Sequence, residues 1–136
     1  MAMRSVVARV GLKRAGRGAL AATYATQLTP SVSFDTIARE WRCKWSPEDD
    51  KASLEAAQQV LAKHLADIKA VKGVKSVQRT VCGGCLDFKV VTSMALDDFN
   101  KWEAGDFAPE STFLEKVKAI DGITFVETQT FTLMPM

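Results

Sequence analysis

Two consecutive glycines, Gly83-Gly84, stand between two runs rich in β-branched residues, Val74 to Cys82 and Cys85 to Thr92. Adjacent glycines admit positive φ at both centres of a two-residue primed turn, so the sequence predicts a β-hairpin here. Such a turn sets Val81 opposite Leu86, Arg79 opposite Phe88 and Val77 opposite Val90, all on one face. Thr80, Gln78, Asp87 and Lys89 then occupy the other, more polar face.

The flanking segments supply the rest of a small α+β unit. From Ile37 to Trp45 the chain alternates, with Trp41, Cys43 and Trp45 on one side and Arg42 and Lys44 on the other, the period of a half-buried strand. Ser46-Pro47-Glu48-Asp49 provides a cap residue, a proline for the first helical position and acids for the first turn. Leu54, Ala57, Leu61, Leu65 and Ile68 continue as a helical stripe, and Gly73 closes it in a left-handed cap. A second helical region is interrupted around Gly105-Asp106-Phe107. Leu96, Phe99 and Trp102 mark its first piece, and Phe113, Leu114, Val117 and Ile120 its second. Gly122 ends it, and Ile123 to Met134 forms a last strand rich in Thr, Phe and Val. The order β-α-β-β-α-β is the ferredoxin-like split βαβ arrangement: an antiparallel four-stranded sheet with two helices on one face. The other face is left open as an association surface, and a homodimer is compatible with it.

Charge divides the chain of 136 residues differently. The whole carries +2, but residues 1–27 hold five basic residues and no acidic one, which leaves the remainder at −3. Met3, Val6, Val7 and Val10 share a helical face beside Arg4 and Arg9, the pattern of a mitochondrial targeting segment. Residues 28–36 read as a linker and 37–136 as the ferredoxin-like domain. The dispersed positive charge of that domain does not suggest a nucleic-acid surface. No stretch approaches the roughly 18–20 apolar residues that cross a bilayer, so no transmembrane segment is expected.

No complete catalytic motif is present, and no cofactor or metal site is expected. Cys82-Gly-Gly-Cys85 and Cys43 fall one ligand short of a zinc set. His64, the only histidine, lies about 18 residues into its helix, at roughly 1.5 Å per residue more than 20 Å from that end. A regulatory or structural disulfide between Cys82 and Cys85 is a second reading; a hairpin whose flanking residues happen to be thiols is the simpler one. Asp49-Asp50 and Asp97-Asp98 stand at helix starts, where dipole compensation explains them. Trp41 and Trp45 are core or interface residues and the candidate contacts to a partner. An enzymatic or ligand-binding site would draw on Arg79, Asp87, Glu127 and His64, too few to assemble a mechanism.

Two resemblances add to this reading. The segment Ile120-Asp-Gly-Ile-Thr-Phe-Val-Glu-Thr-Gln-Thr-Phe-Thr is similar to the last helix-to-strand step of dimeric α/β-barrel and Lrp-type ligand-binding domains. Arg39-Glu-Trp-Arg-Cys-Lys-Trp-Ser, Val77-Gln-Arg-Thr-Val-Cys-Gly-Gly-Cys-Leu-Asp-Phe-Lys-Val-Val and Val126-Glu-Thr-Gln-Thr-Phe-Thr-Leu-Met resemble a small supernumerary subunit of mitochondrial cytochrome c oxidase of the kinetoplastid and euglenid type. The second resemblance implies a non-catalytic accessory subunit of the respiratory chain without haem or copper. It would be associated with the inner membrane on the matrix side, bound to other subunits and acting in assembly and stability. The first implies the alternative, a small dimeric α/β-barrel-type enzyme or ligand-binding domain in mitochondria.

Overall fold

The computed structural model describes residues 25–136. Most of the targeting segment expected over residues 1–27 lies outside them. The expected linker contains a short antiparallel pair, β1 (Thr26–Gln27) and β2 (Ser33–Phe34), with Thr26 opposite Phe34. The domain follows as β3 (Thr36–Lys44), α1 (Glu48–Lys69), β4 (Val74–Val81), β5 (Asp87–Met94), α2 (Leu96–Ala104), α3 (Glu110–Lys118) and β6 (Thr124–Leu133).

The four long strands form one antiparallel sheet in the order β4-β5-β3-β6, the ferredoxin-like topology. The second helical region is two helices, so three helices pack on the sheet where the alternation alone suggested two. All three lie on one face. Trp41 meets Trp102 of α2 and Phe113 of α3, Arg39 bonds Glu110 of α3, and Arg79 bonds Gln58 of α1. These strand residues are the odd-numbered positions that alternation directs to a single side.

The hairpin register differs from the expected one. Val81 pairs with Phe88, Arg79 with Val90 and Val77 with Thr92. The last link is Cys82 N–H donating to Asp87 O at 3.0 Å, so four residues make the loop. Neither glycine takes positive φ there; Leu86 does, at 64°. The register slips by two residues, an even number, so every side chain keeps its expected face.

Helix α1 begins irregularly, with Asp49, Asp50 and Lys51 at φ of 53°, 57° and 64°. Its buried line is Ser53, Ala57, Leu61, His64 and Ile68. The helix ends at Lys69 with Ala70 as its cap at φ −80°, so the left-handed cap expected at Gly73 falls instead in the turn before β4, where Gly73 takes φ 87° and a side chain would collide with Asp98 of α2. In β6, residues 125 and 126 both stand opposite Cys43, between the pairs Lys44↔Thr124 and Arg42↔Glu127. This bulge places Phe125 at φ 51° and leaves it 72% exposed.

Candidate functional site

A charge buried on the covered face of a strand demands a partner, and Arg39 has several. Its Nε and Nη2 donate to the two carboxylate oxygens of Glu110 at 2.8 and 3.1 Å, a bidentate pair. Nη1 donates to Thr130 Oγ1 at 2.9 Å and Nη2 to Thr128 Oγ1 at 3.0 Å. The guanidinium carbon lies 4.1 Å from the centroid of the Phe107 ring, a cation–π contact. Trp41 Nε1 donates to the same Glu110 at 2.7 Å. Around this network Trp41, Phe99, Trp102, Phe107 and Phe113 form a continuous aromatic wall.

The wall comes nearest the surface at Trp102, which keeps 7% exposure. A cavity of about 200 Å³ opens there between the C-terminal end of α1 and α2, lined by Val71, Lys72, Asp98, Lys101 and Trp102. Trp102 Nε1 donates to Ala108 O at 2.9 Å, which fixes the indole that borders the cavity. The floor is apolar, and two lysines and the Asp98 carboxylate flank it, a combination that suits a planar ring bearing a strongly polar edge.

The sequence-based candidates do not converge there. His64 is 7% exposed, its Nδ1–H donating to Val60 O at 2.9 Å and its ring edge-on to Phe113. Arg79 Nη1 donates to Gln58 Oε1 at 2.7 Å on the helix side, whereas Asp87 and Glu127 face the open side of the sheet. Trp41 and Trp45 are 1% and 4% exposed, so neither presents a surface to a partner; the alternation that put them together on one side put them in the core. Cys82 and Cys85 are joined as a disulfide, with Cα atoms 5.6 Å apart. Cys43 is a buried free thiol. Among the described residues no group of three or more His, Cys, Asp or Glu is placed to hold a metal ion, and no helix is long and apolar enough to cross a membrane.

Solved structures share this architecture. The monooxygenase from the gene ActVA-Orf6 of Streptomyces coelicolor, in complex with nanaomycin D, matches with a TM-score of 0.55 at 11% identity, over 76% of this chain and 90% of that one. NE2512, a protein of unknown function from Nitrosomonas europaea, matches at 0.53 and 16%, over 76% and 93%. A mutant of SnoaB, a cofactor-independent oxygenase from Streptomyces nogalater, matches at 0.51 and 17%, over 75% and 96%. No family model and no curated protein matches the sequence.

These findings establish the fold and correct the expected role. The resemblance to a cytochrome c oxidase subunit is overturned: the solved structures that share this fold include a monooxygenase and a cofactor-independent oxygenase, and no sequence relative supports an oxidase subunit or a respiratory-chain role. The expectation of a non-catalytic chain falls with it, since SnoaB and ActVA-Orf6 are enzymes built on this architecture. Sequence reasoning also passed over Arg39, Glu110, Lys72 and Lys101, and read Asp98 only as an acid at a helix start. For Arg39 a signal existed: it occupies the same alternating line as Ile37 and Trp41, a charged residue at a core-facing position.

Proposed function

We propose that this chain is a small-molecule-binding oxygenase-type domain that takes a planar aromatic ligand in the cleft bordered by Trp102. The carrying observation is the cavity itself, where the aromatic wall of the core comes nearest the surface between two lysines. The names of the fold relatives support the reading, since one is a monooxygenase holding nanaomycin D and another an oxygenase that works without a cofactor. Lys72 and Lys101 attract the polar edge of the ligand, Trp102 stacks on its ring, and oxygenation of that ring is the reaction class. The cavity admits one or two fused rings without rearrangement; larger ligands require α2 to move.

Calorimetric titration with 2-naphthoate and with 2-naphthol tests the site, and oxygen uptake with phenolic naphthalenes tests the chemistry. Saturable binding that weakens about tenfold in Lys101→Leu, with the fold intact, is expected from the loss of one partly exposed charge contact. Binding of neither probe by the folded chain, or equal binding by Lys101→Leu and Trp102→Phe, overturns the site. Binding with no oxygen uptake overturns only the oxygenase part.

A further inference from the structure

At the far end of the sheet from that cleft's chemistry, the tip of the β4–β5 hairpin carries a second set of reactive groups. The Cys82–Cys85 bridge spans Gly83-Gly84, and a side chain built at either glycine would meet nothing within 4 Å, so the bridge is uncovered. Cys85 is exposed and Cys82 half-buried. The two sulfurs have unlike surroundings. Cys82 Sγ accepts the backbone N–H of Cys85 at 3.0 Å, a contact that favours negative charge on that sulfur. Cys85 Sγ lies 3.4 Å from Asp87 Oδ2, a carboxylate that opposes negative charge. Asp87 is itself held ionised: Lys44 from β3 places Nζ 2.7 Å from its Oδ1 and donates to Cys85 O at 2.8 Å, and Lys89 of β5 stands 3.9 Å from Oδ2. Arg42 and Glu40 complete the charges on this face, 3.5 Å apart, with Glu127 of β6 across from Arg42.

The bridge is poorly placed to serve as a staple. It closes a separation of three residues, so it removes little freedom from the unfolded chain. The tip is also held by Cys82 N–H to Asp87 O and by Trp45 N–H to Leu86 O at 2.9 Å. The geometry points to a thiol–disulfide exchange site at the hairpin tip, at which a small thiol of the glutathione class attacks Cys85 and Cys82 departs as the thiolate.

The steps balance as follows. A thiolate RS⁻ bonds to Cys85 Sγ, the Cys82–Cys85 bond breaks, and its electron pair leaves on Cys82 Sγ, which later takes a proton from water. A second thiolate attacks the outer sulfur of the R–S–S–Cys85 adduct and releases Cys85 as thiolate, which is protonated in turn. Two thiols become one external disulfide, and the protein disulfide becomes two thiols. In the reverse direction Cys82 is the resolving nucleophile. Cys43 stays outside the exchange, because burial and the charge of Asp87 push its thiol up to about 11 and keep it protonated.

The test equilibrates the full chain with reduced and oxidised glutathione at varied ratios, blocks thiols, and reads the peptide spanning Cys82 and Cys85 by mass spectrometry, with circular dichroism reporting the fold. Expected is reversible gain of two hydrogens while the chain stays folded. When reduction of the intact bridge by glutathione is stopped part-way with acid, the mixed disulfide is expected on Cys85 and at least tenfold less on Cys82. After reduction, the pH midpoint for iodoacetamide labelling lies lower for Cys82 than for Cys85, and Asp87→Asn narrows the gap. A bridge that is absent, or one reduced only when the chain unfolds, overturns the proposal. Equal adducts on the two cysteines, or a lower labelling midpoint for Cys85, overturns the assigned direction of attack.

Discussion

Arg39 and Glu40 are neighbours in the chain and serve opposite faces of β3, with opposite charges. On the covered face Arg39 is clamped by Glu110, Thr128 and Thr130 at 2.8–3.1 Å and capped by Phe107. On the open face Glu40, 3% exposed, accepts from Gln129 at 2.9 Å, while its cations stand off at 3.5 Å (Arg42) and 3.9 Å (Lys89). The difference follows from what lies above each face. Helix α3 brings the Glu110 carboxylate down to Arg39 and β6 adds two threonines, so each donor meets a fixed acceptor although both charged side chains keep 14% exposure. Without helices the cations of the open face keep part of their hydration, and longer, shared contacts suffice.

The largest test removes one half of the clamp. Arg39→Ala leaves the Glu110 carboxylate with Trp41 as its remaining partner of the clamp and should cost about 3–5 kcal/mol in urea unfolding. Replacing both members, Arg39→Met with Glu110→Leu, should recover much of that loss, because the penalty belongs to the stranded charge. A cost for Arg39→Ala no greater than for Glu40→Ala would break the contrast between the faces. Next in size, Trp41→Phe keeps the ring contacts but deletes the donor to Glu110, for a loss of about 1.5–3 kcal/mol.

The two faces should also part company with pH. Cys43, on the covered side, has its thiol raised by burial and by Asp87, so the folded state holds its proton more tightly than the unfolded chain does. Stability from this source is complete below about 9 and falls as pH climbs to about 11, and Cys43→Ala should flatten that limb. Asp87, on the open side, is shifted downward, chiefly by its hydrogen bond from Lys44. Its contribution is present above the ordinary carboxylate range and fades as acid carries the pH below it; Lys44→Met should weaken that dependence, with Lys89 and Arg42 sustaining the rest. The smallest effect is expected from Glu40→Gln, about 1 kcal/mol, because the amide oxygen still accepts from Gln129 and the two cations it faces stay partly hydrated, and the Arg39 clamp should be unmoved.

Alternation was the most legible feature of the sequence. It put Trp41, Cys43 and Trp45 on one side and Gln78, Thr80, Asp87 and Lys89 on the other, and a two-residue slip in register could not disturb that parity. The slip was not legible, because Gly83-Gly84 reads as a turn whereas the loop is fixed by a bridge across the glycines and by Leu86 at positive φ. In α1 the expected stripe held at Ala57, Leu61 and Ile68. Ser53 and His64 displaced Leu54 and Leu65 from the buried line, since Gly122 approaches Ser53 and Phe113 takes the edge of the His64 ring. The Arg39–Glu110 pair spans 71 residues, and the cleft joins the end of α1 to α2; neither leaves a local periodicity to read.

The extra residue in β6 has a consequence for how this chain tolerates insertion and loss. It sits upstream of Thr128 and Thr130, which reach Arg39, and of Gln129, which reaches Glu40. With Thr124 anchored against Lys44, excising Phe125 would leave Val126 alone opposite Cys43 and every later pair in place, so both threonines and Gln129 would keep their faces and only the bulge would be lost. A one-residue deletion at that spot is therefore a mending of the ladder, and the strand can lose its extra residue without giving up its hold on Arg39.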